Sequence, residues 1–119
     1  METLLVILGG ALGSTARYCL GKRFASRHKH LPVGTFVINV SGSLLLGVVT
    51  GAGTSPLLYV LFAEGFLGAY TTFSTFMFED FVLLKDNRIL SAIIYVLATL
   101  VLSYLTFYLG FVVSSAFIR

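Results

Sequence analysis

Charge is what this sequence most lacks. Asp, Glu, Lys and Arg make up 11% of its 119 residues, against 57% apolar residues, whereas a soluble globular domain carries about 25% charged residues. So few charges cannot coat a water-soluble protein of this size, and lipid must cover most of its surface. The length allows one domain. Cysteine is nearly absent too: Cys19 alone excludes an internal disulfide and a thiolate metal centre. His28 and His30 sit in a basic stretch, a spacing that suits neither a zinc site nor a Ser–His–acid set. No glycine-rich phosphate loop ending in Lys-Ser/Thr occurs. The sequence therefore carries no enzyme signature. Its densest basic cluster is one short loop beside a membrane stretch, which does not make a nucleic-acid surface.

What the chain has is apolar length. Four stretches, at about 3–21, 34–53, 57–84 and 89–118, are rich in Leu, Val, Ile and Phe, and each suits the ~20 residues that cross a bilayer. None shows the polar face that a helix of a soluble bundle needs. The expected fold is an all-α integral membrane protein, one domain over residues 1–119 with four transmembrane helices. The first stretch is too long and too rich in glycine for a signal peptide, so it is expected in the mature protein. A basic loop with Lys22, Arg23, Arg27, His28, Lys29 and His30 follows it and ends at Pro32. The second connection, Gly53-Thr54-Ser55-Pro56, is uncharged; the third is Lys85-Asp86-Asn87-Arg88.

The third stretch is unusual. Its middle reads Gly65-Phe66-Leu67-Gly68-Ala69-Tyr70-Thr71-Thr72-Phe73-Ser74-Thr75-Phe76, a poor composition for continuous helix. A break there would place freed carbonyls and hydroxyls near the membrane midplane, where they need partners in protein, water or an ion. The alternative is a straight helix whose hydroxyls bond back to their own backbone.

Other polar groups lie within the apolar stretches. Asn39 either lines a pathway and offers N–H donors or clamps two helices together. Tyr95, Thr99 and Ser103 recur every four residues and share one helical face, with Ser91 and Thr106 close to the stripe. That ladder suits a partly desolvated anion or hydrogen bonds between helices. Phe73 and Phe76 share a face if the local helix survives, and their ring edges carry partial positive charge. Glu64 and Glu79 flank the third stretch, with Asp80 after Glu79, and suit an interfacial or vestibule position. Arg17, late in the first helix, is expected in a vestibule beside the basic loop. The pairs Gly9/Gly13 and Gly47/Gly51 permit close helix contact.

The Gly65–Phe76 string followed by Glu79 resembles the hallmark of Fluc (CrcB-type) fluoride channels. So do Gly9-Gly10-Ala11-Leu12-Gly13 with Arg17-Tyr18, and Pro32-Val33-Gly34-Thr35 leading to Asn39-Val40-Ser41-Gly42-Ser43. Order and spacing agree along nearly the whole chain. The resemblance implies an antiparallel dimer in the cell membrane, with two fluoride pores at its interface and passive export of fluoride. It implies that Asn39 lines a pore, that Phe73 and Phe76 present ring edges to the anion, and that Ser74 and Thr75 lie on the route. Tyr95, Thr99 and Ser103 match the family's polar track. Backbone carbonyls of Gly68 and Thr71 from both subunits would hold a structural sodium ion that is not transported.

Lys22, Arg23, Arg27, Lys29, Lys85 and Arg88 lie on one side of the membrane, and Arg119 alone lies on the other. The positive-inside rule then puts both basic loops in the cytoplasm and both termini outside. A chain so firmly oriented is expected to pair with an oppositely biased homologue, in place of a dual-topology homodimer. Two other functions compete. A small multidrug exporter would need a membrane-embedded carboxylate in its first helix, and Glu2 is merely terminal. A non-conducting scaffold would explain the glycines but leave the polar groups without purpose.

Overall fold

Runs of Leu, Val, Ile and Ala favour helix wherever backbone hydrogen bonds must close within the segment, as they must in lipid. The computed structural model describes residues 1–25 and 32–118. Helix α1 spans Glu2–Ala25 and α2 spans Val33–Gly51. A third span begins as α3 (Pro56–Tyr59) and widens into a π-helical stretch over Val60–Leu67. It tightens again as α4 (Gly68–Tyr70), is extended at Thr71 and Thr72, and resumes as α5 (Phe73–Lys85). Helix α6 covers Ile89–Ile118. Four helical spans are long and apolar enough to cross a membrane: Glu2–Phe24, Val33–Gly51, Pro56–Lys85 and Ile89–Ile118. Helix α1 outruns the expected end near residue 21. Lys22 and Arg23 in its last turn suit the negative end of the helix dipole. The basic-loop residues Arg27, His28, Lys29 and His30, and the terminal Arg119, lie outside the described residues.

The spans pack through glycine. A Cβ at Gly13 would collide with the carbonyl of Phe66, and one at Gly9 with that of Leu61. Helix α1 therefore lies backbone to backbone on the π-helical stretch. Gly47 and Gly51 meet the carbonyls of Phe107 and Phe111 in the same way, so α2 lies tightly along α6. Two hydroxyls eight residues apart tie that seam: Thr106 donates to the Val40 carbonyl at 3.2 Å and Ser114 to the Val48 carbonyl at 2.9 Å.

Little is buried in this one chain. One cluster joins Phe76, Leu83, Ala92 and Tyr95; another joins Ile38, Leu67 and Tyr70. Large apolar side chains stand exposed on every span, among them Leu12, Leu45, Phe81 and Leu100. Such a surface belongs in lipid or against another subunit. The turn from α5 to α6 is closed by Asn87, whose φ of 57° falls in the left-handed region that Asn tolerates better than most residues.

Candidate ion pathway

The site is organised by the two extended residues of the third span. Thr71 has φ −77° and ψ 156°, and Thr72 has φ −144° and ψ 122°. Thr72 caps α5, its Oγ1 accepting from the Thr75 N–H at 3.3 Å. The backbone of Thr72 is matched by one side chain from another helix. Asn39 Oδ1 accepts from the Thr72 N–H at 2.8 Å, and Asn39 Nδ2 donates to the Thr72 carbonyl at 2.9 Å. Arg17 Nη1 reaches the Thr71 carbonyl at 3.4 Å. Thr71 Oγ1 donates back to the Leu67 carbonyl at 3.0 Å. Polar backbone at membrane depth thus finds its partners in α1 and α2.

Two cavities meet at Thr72. The first is a groove of about 320 Å³. Asn39, Phe73, Phe76, Thr99 and Ser103 line it, together with Gly68 and Thr71. No charged side chain is among its described lining residues. Phe73 is 74% exposed and Phe76 only 4%, with ring centroids 6.3 Å apart and planes at 55°. Phe76 in turn packs on Tyr95, centroids 5.1 Å apart at 58°. The second cavity, about 600 Å³, is lined by Arg17, Thr35, Thr72, Thr75 and Glu79 among others.

The expected site residues divide between these spaces. Asn39 lines the groove and also clamps α2 to the third span, with one Nδ2 hydrogen left over. Thr99 and Ser103 face the groove. Tyr95 does not line it; its ring sits against Phe76 and its hydroxyl donates to Glu79 Oε2 at 3.0 Å. The Thr99 hydroxyl donates to its own helix, to the Tyr95 carbonyl at 2.7 Å. Thr75 lines the second cavity, and Ser74 is exposed and lines neither. Arg17 and Glu79 share the second cavity, while Glu64 is exposed elsewhere on the third span. Asp80 is buried, and its Oδ1 meets no donor among the described residues.

Thr35 was not singled out from the sequence, yet its hydroxyl donates to Glu79 Oε1 at 2.9 Å. Thr35 and Tyr95 therefore hold the two oxygens of one carboxylate and join α2, α5 and α6. The available signal was spacing: Thr35 lies four residues before Asn39, on the same face of α2. While the Thr71 and Thr99 hydroxyls donate to their own helices, the groove offers chemically the remaining Asn39 amide hydrogen, the Ser103 hydroxyl and the rings of Phe73 and Phe76. Such groups can replace part of an anion's water without a fixed cation to trap it.

Residues 4–111 match the family model described as CrcB-like protein, Camphor Resistance (CrcB). A Clostridium acetobutylicum protein named fluoride-specific ion channel FluC 2 is 46% identical over 111 residues, 92% of this chain and 95% of its own length. A Rhodococcus jostii protein of the same name is 43% identical over 115 residues, covering 97% of this chain and all of its own length. Fluoride-specific ion channel FluC 1 of Ligilactobacillus salivarius is 40% identical over 105 residues, 88% of this chain and 92% of its own.

Proposed function

The chain belongs to the CrcB family, and from that membership we propose that it is a fluoride channel subunit of the cell membrane, not an enzyme, and that it exports fluoride passively from the cytoplasm. The observation that carries the proposal is the charge-free groove beside Thr71 and Thr72, where Asn39, Phe73, Phe76, Thr99 and Ser103 converge. Fluoride holds its water tightly. A path for it must supply many donors, none strong enough to retain the ion. A Lys or Arg in the groove would bind the anion and stop it. In acid surroundings neutral hydrogen fluoride enters cells and dissociates. An interior potential of −100 mV is worth about 2.3 kcal/mol per charge, enough to drive the anion outward against a gradient of roughly fifty-fold.

One chain leaves the groove open, and the ring of Phe73 stands largely exposed at its edge. A second subunit in antiparallel orientation would close it and bring two Thr71–Thr72 segments together. Gly68 and Thr71 fit a structural sodium ion between such subunits. The Thr72 N–H, which a continuous helix would aim at the Gly68 carbonyl, goes to Asn39 instead, so that carbonyl is free of its helical partner. Neutral carbonyl oxygens suit an alkali cation, and the ion would supply positive charge to a seam of converging carbonyls.

The second subunit is an oppositely biased homologue. Lys22 and Arg23 end α1, and Lys85 and Arg88 end α5 and its turn, all at one end of the bundle. That bias fixes a single orientation. Mapping the accessibility of tags on both termini when the chain is expressed alone tests this; a near-equal mixture of orientations would defeat it. Function is tested by valinomycin-triggered fluoride efflux from liposomes holding the chain with and without such a homologue. Efflux from the pair supports the proposal, and vesicles that stay sealed to fluoride in every combination would overturn it.

A further inference from the structure

We propose that Arg17 sets how tightly the sodium site holds its ion, by sharing the carbonyl of Thr71 with it; this rests on the cation assignment of Gly68 and Thr71 above. The Thr71 carbonyl is available because the Thr75 N–H donates to Thr72 Oγ1 at 3.3 Å rather than closing a helical turn onto it. Arg17 Nη1 approaches this oxygen at 3.4 Å. Arg17 lines the second cavity, whereas Gly68 and Thr71 line the groove, so the arginine and a cation in the seam would come to the carbonyl from different spaces.

A carbonyl oxygen has two lone pairs and can serve two partners at once. Here both partners are positive. Charges on the two lone pairs of one oxygen lie roughly 5 Å apart, and at that separation they repel appreciably even at an effective dielectric constant of about 20. Glu79 lines the same cavity as Arg17. Its two oxygens accept from Thr35 and Tyr95, so it softens the field of Arg17 without pairing with it directly. Arg17 is in this sense a positioning residue: it fixes the Thr71 carbonyl and, by its charge, holds cation affinity down.

The test follows thermal unfolding of the assembled protein in detergent across a sodium chloride titration, with N-methylglucamine chloride keeping ionic strength constant. Removing the charge in Arg17→Gln should lower the sodium concentration at the midpoint of stabilisation about tenfold, allowing for water around the half-buried arginine. Arg17→Lys, which keeps the charge, should stay within about threefold of the parent. Coincident midpoints for all three proteins would overturn the proposal and leave the cation assignment standing. No sodium dependence in any of them would overturn both. Arg17→Met replaces Arg17→Gln if the latter does not assemble. Failure of both variants at every sodium concentration would mean that Arg17 serves to hold the fold, and the proposal would be wrong.

Discussion

Replacing Asn39 by alanine removes two hydrogen bonds with one cut. The Thr72 N–H loses its acceptor at 2.8 Å and the Thr72 carbonyl its donor at 2.9 Å. Thr72 is only 8% exposed, so water cannot readily replace either partner. A buried group left unsatisfied costs about 1–3 kcal/mol, and side-chain bonds in membrane proteins sit toward the low end of that scale. Together the two losses amount to roughly 2–4 kcal/mol. The freed N–H has one nearby remedy: the segment can rewind so that Thr72 donates to the Gly68 carbonyl. Rewinding would turn Phe73 and Thr75 away from their present places. Asn39→Ala should therefore slow fluoride efflux at least tenfold, since about 1.4 kcal/mol already carries that factor, and should lower the unfolding temperature as well. The doubly bonded amide gives the substitution a stability cost beside its loss of flux. Asn39→Asp is the informative companion. It keeps the acceptor for the Thr72 N–H, loses the donor and adds negative charge beside the groove, so it should impair efflux more than stability. Parental efflux and parental stability in Asn39→Ala would refute the reasoning.

Phe76→Ile removes ring contacts to Phe73 and Tyr95, worth about 0.5–1.5 kcal/mol each, and should sharply slow efflux while the protein still assembles; unchanged efflux would remove Phe76 from the path. Thr35→Val and Tyr95→Phe each strip one donor from Glu79, and each should destabilise by about 1–3 kcal/mol in thermal unfolding. Because they share one carboxylate, their double mutant should depart from additivity by at least about 0.5 kcal/mol. Gly13→Ala drives a Cβ into the Phe66 carbonyl, whereas Gly21 has open space around it. The first should destabilise by several kcal/mol and the second should be neutral or stabilising by up to about 1 kcal/mol.

The four spans were legible because each apolar run reaches membrane length, and lipid imposes helix on such a run. The Gly pairs were legible as contact points, since small residues four apart mark one helical face. Periodicity could not give direction. It put Tyr95, Thr99 and Ser103 on one stripe, but the long tyrosine reaches Glu79 and the Thr99 hydroxyl turns onto its own helix. The stretch Gly65–Phe76 showed weak helical composition, yet which residues are extended is decided by Asn39 and Arg17. Those partners lie 33 and 54 positions away in the chain, beyond any local pattern. Thr35 stayed hidden for the same reason: its partner, Glu79, lies 44 positions on.

The central claim is that weak donors in a groove without charged side chains pass a tightly hydrated halide and need no Lys or Arg there to do so. Paired efflux of fluoride and chloride from the same proteoliposomes, under one potassium-set voltage, tests it most directly. The account predicts rapid loss of fluoride with chloride retained; retention of both ions, or equal loss of both, would contradict it.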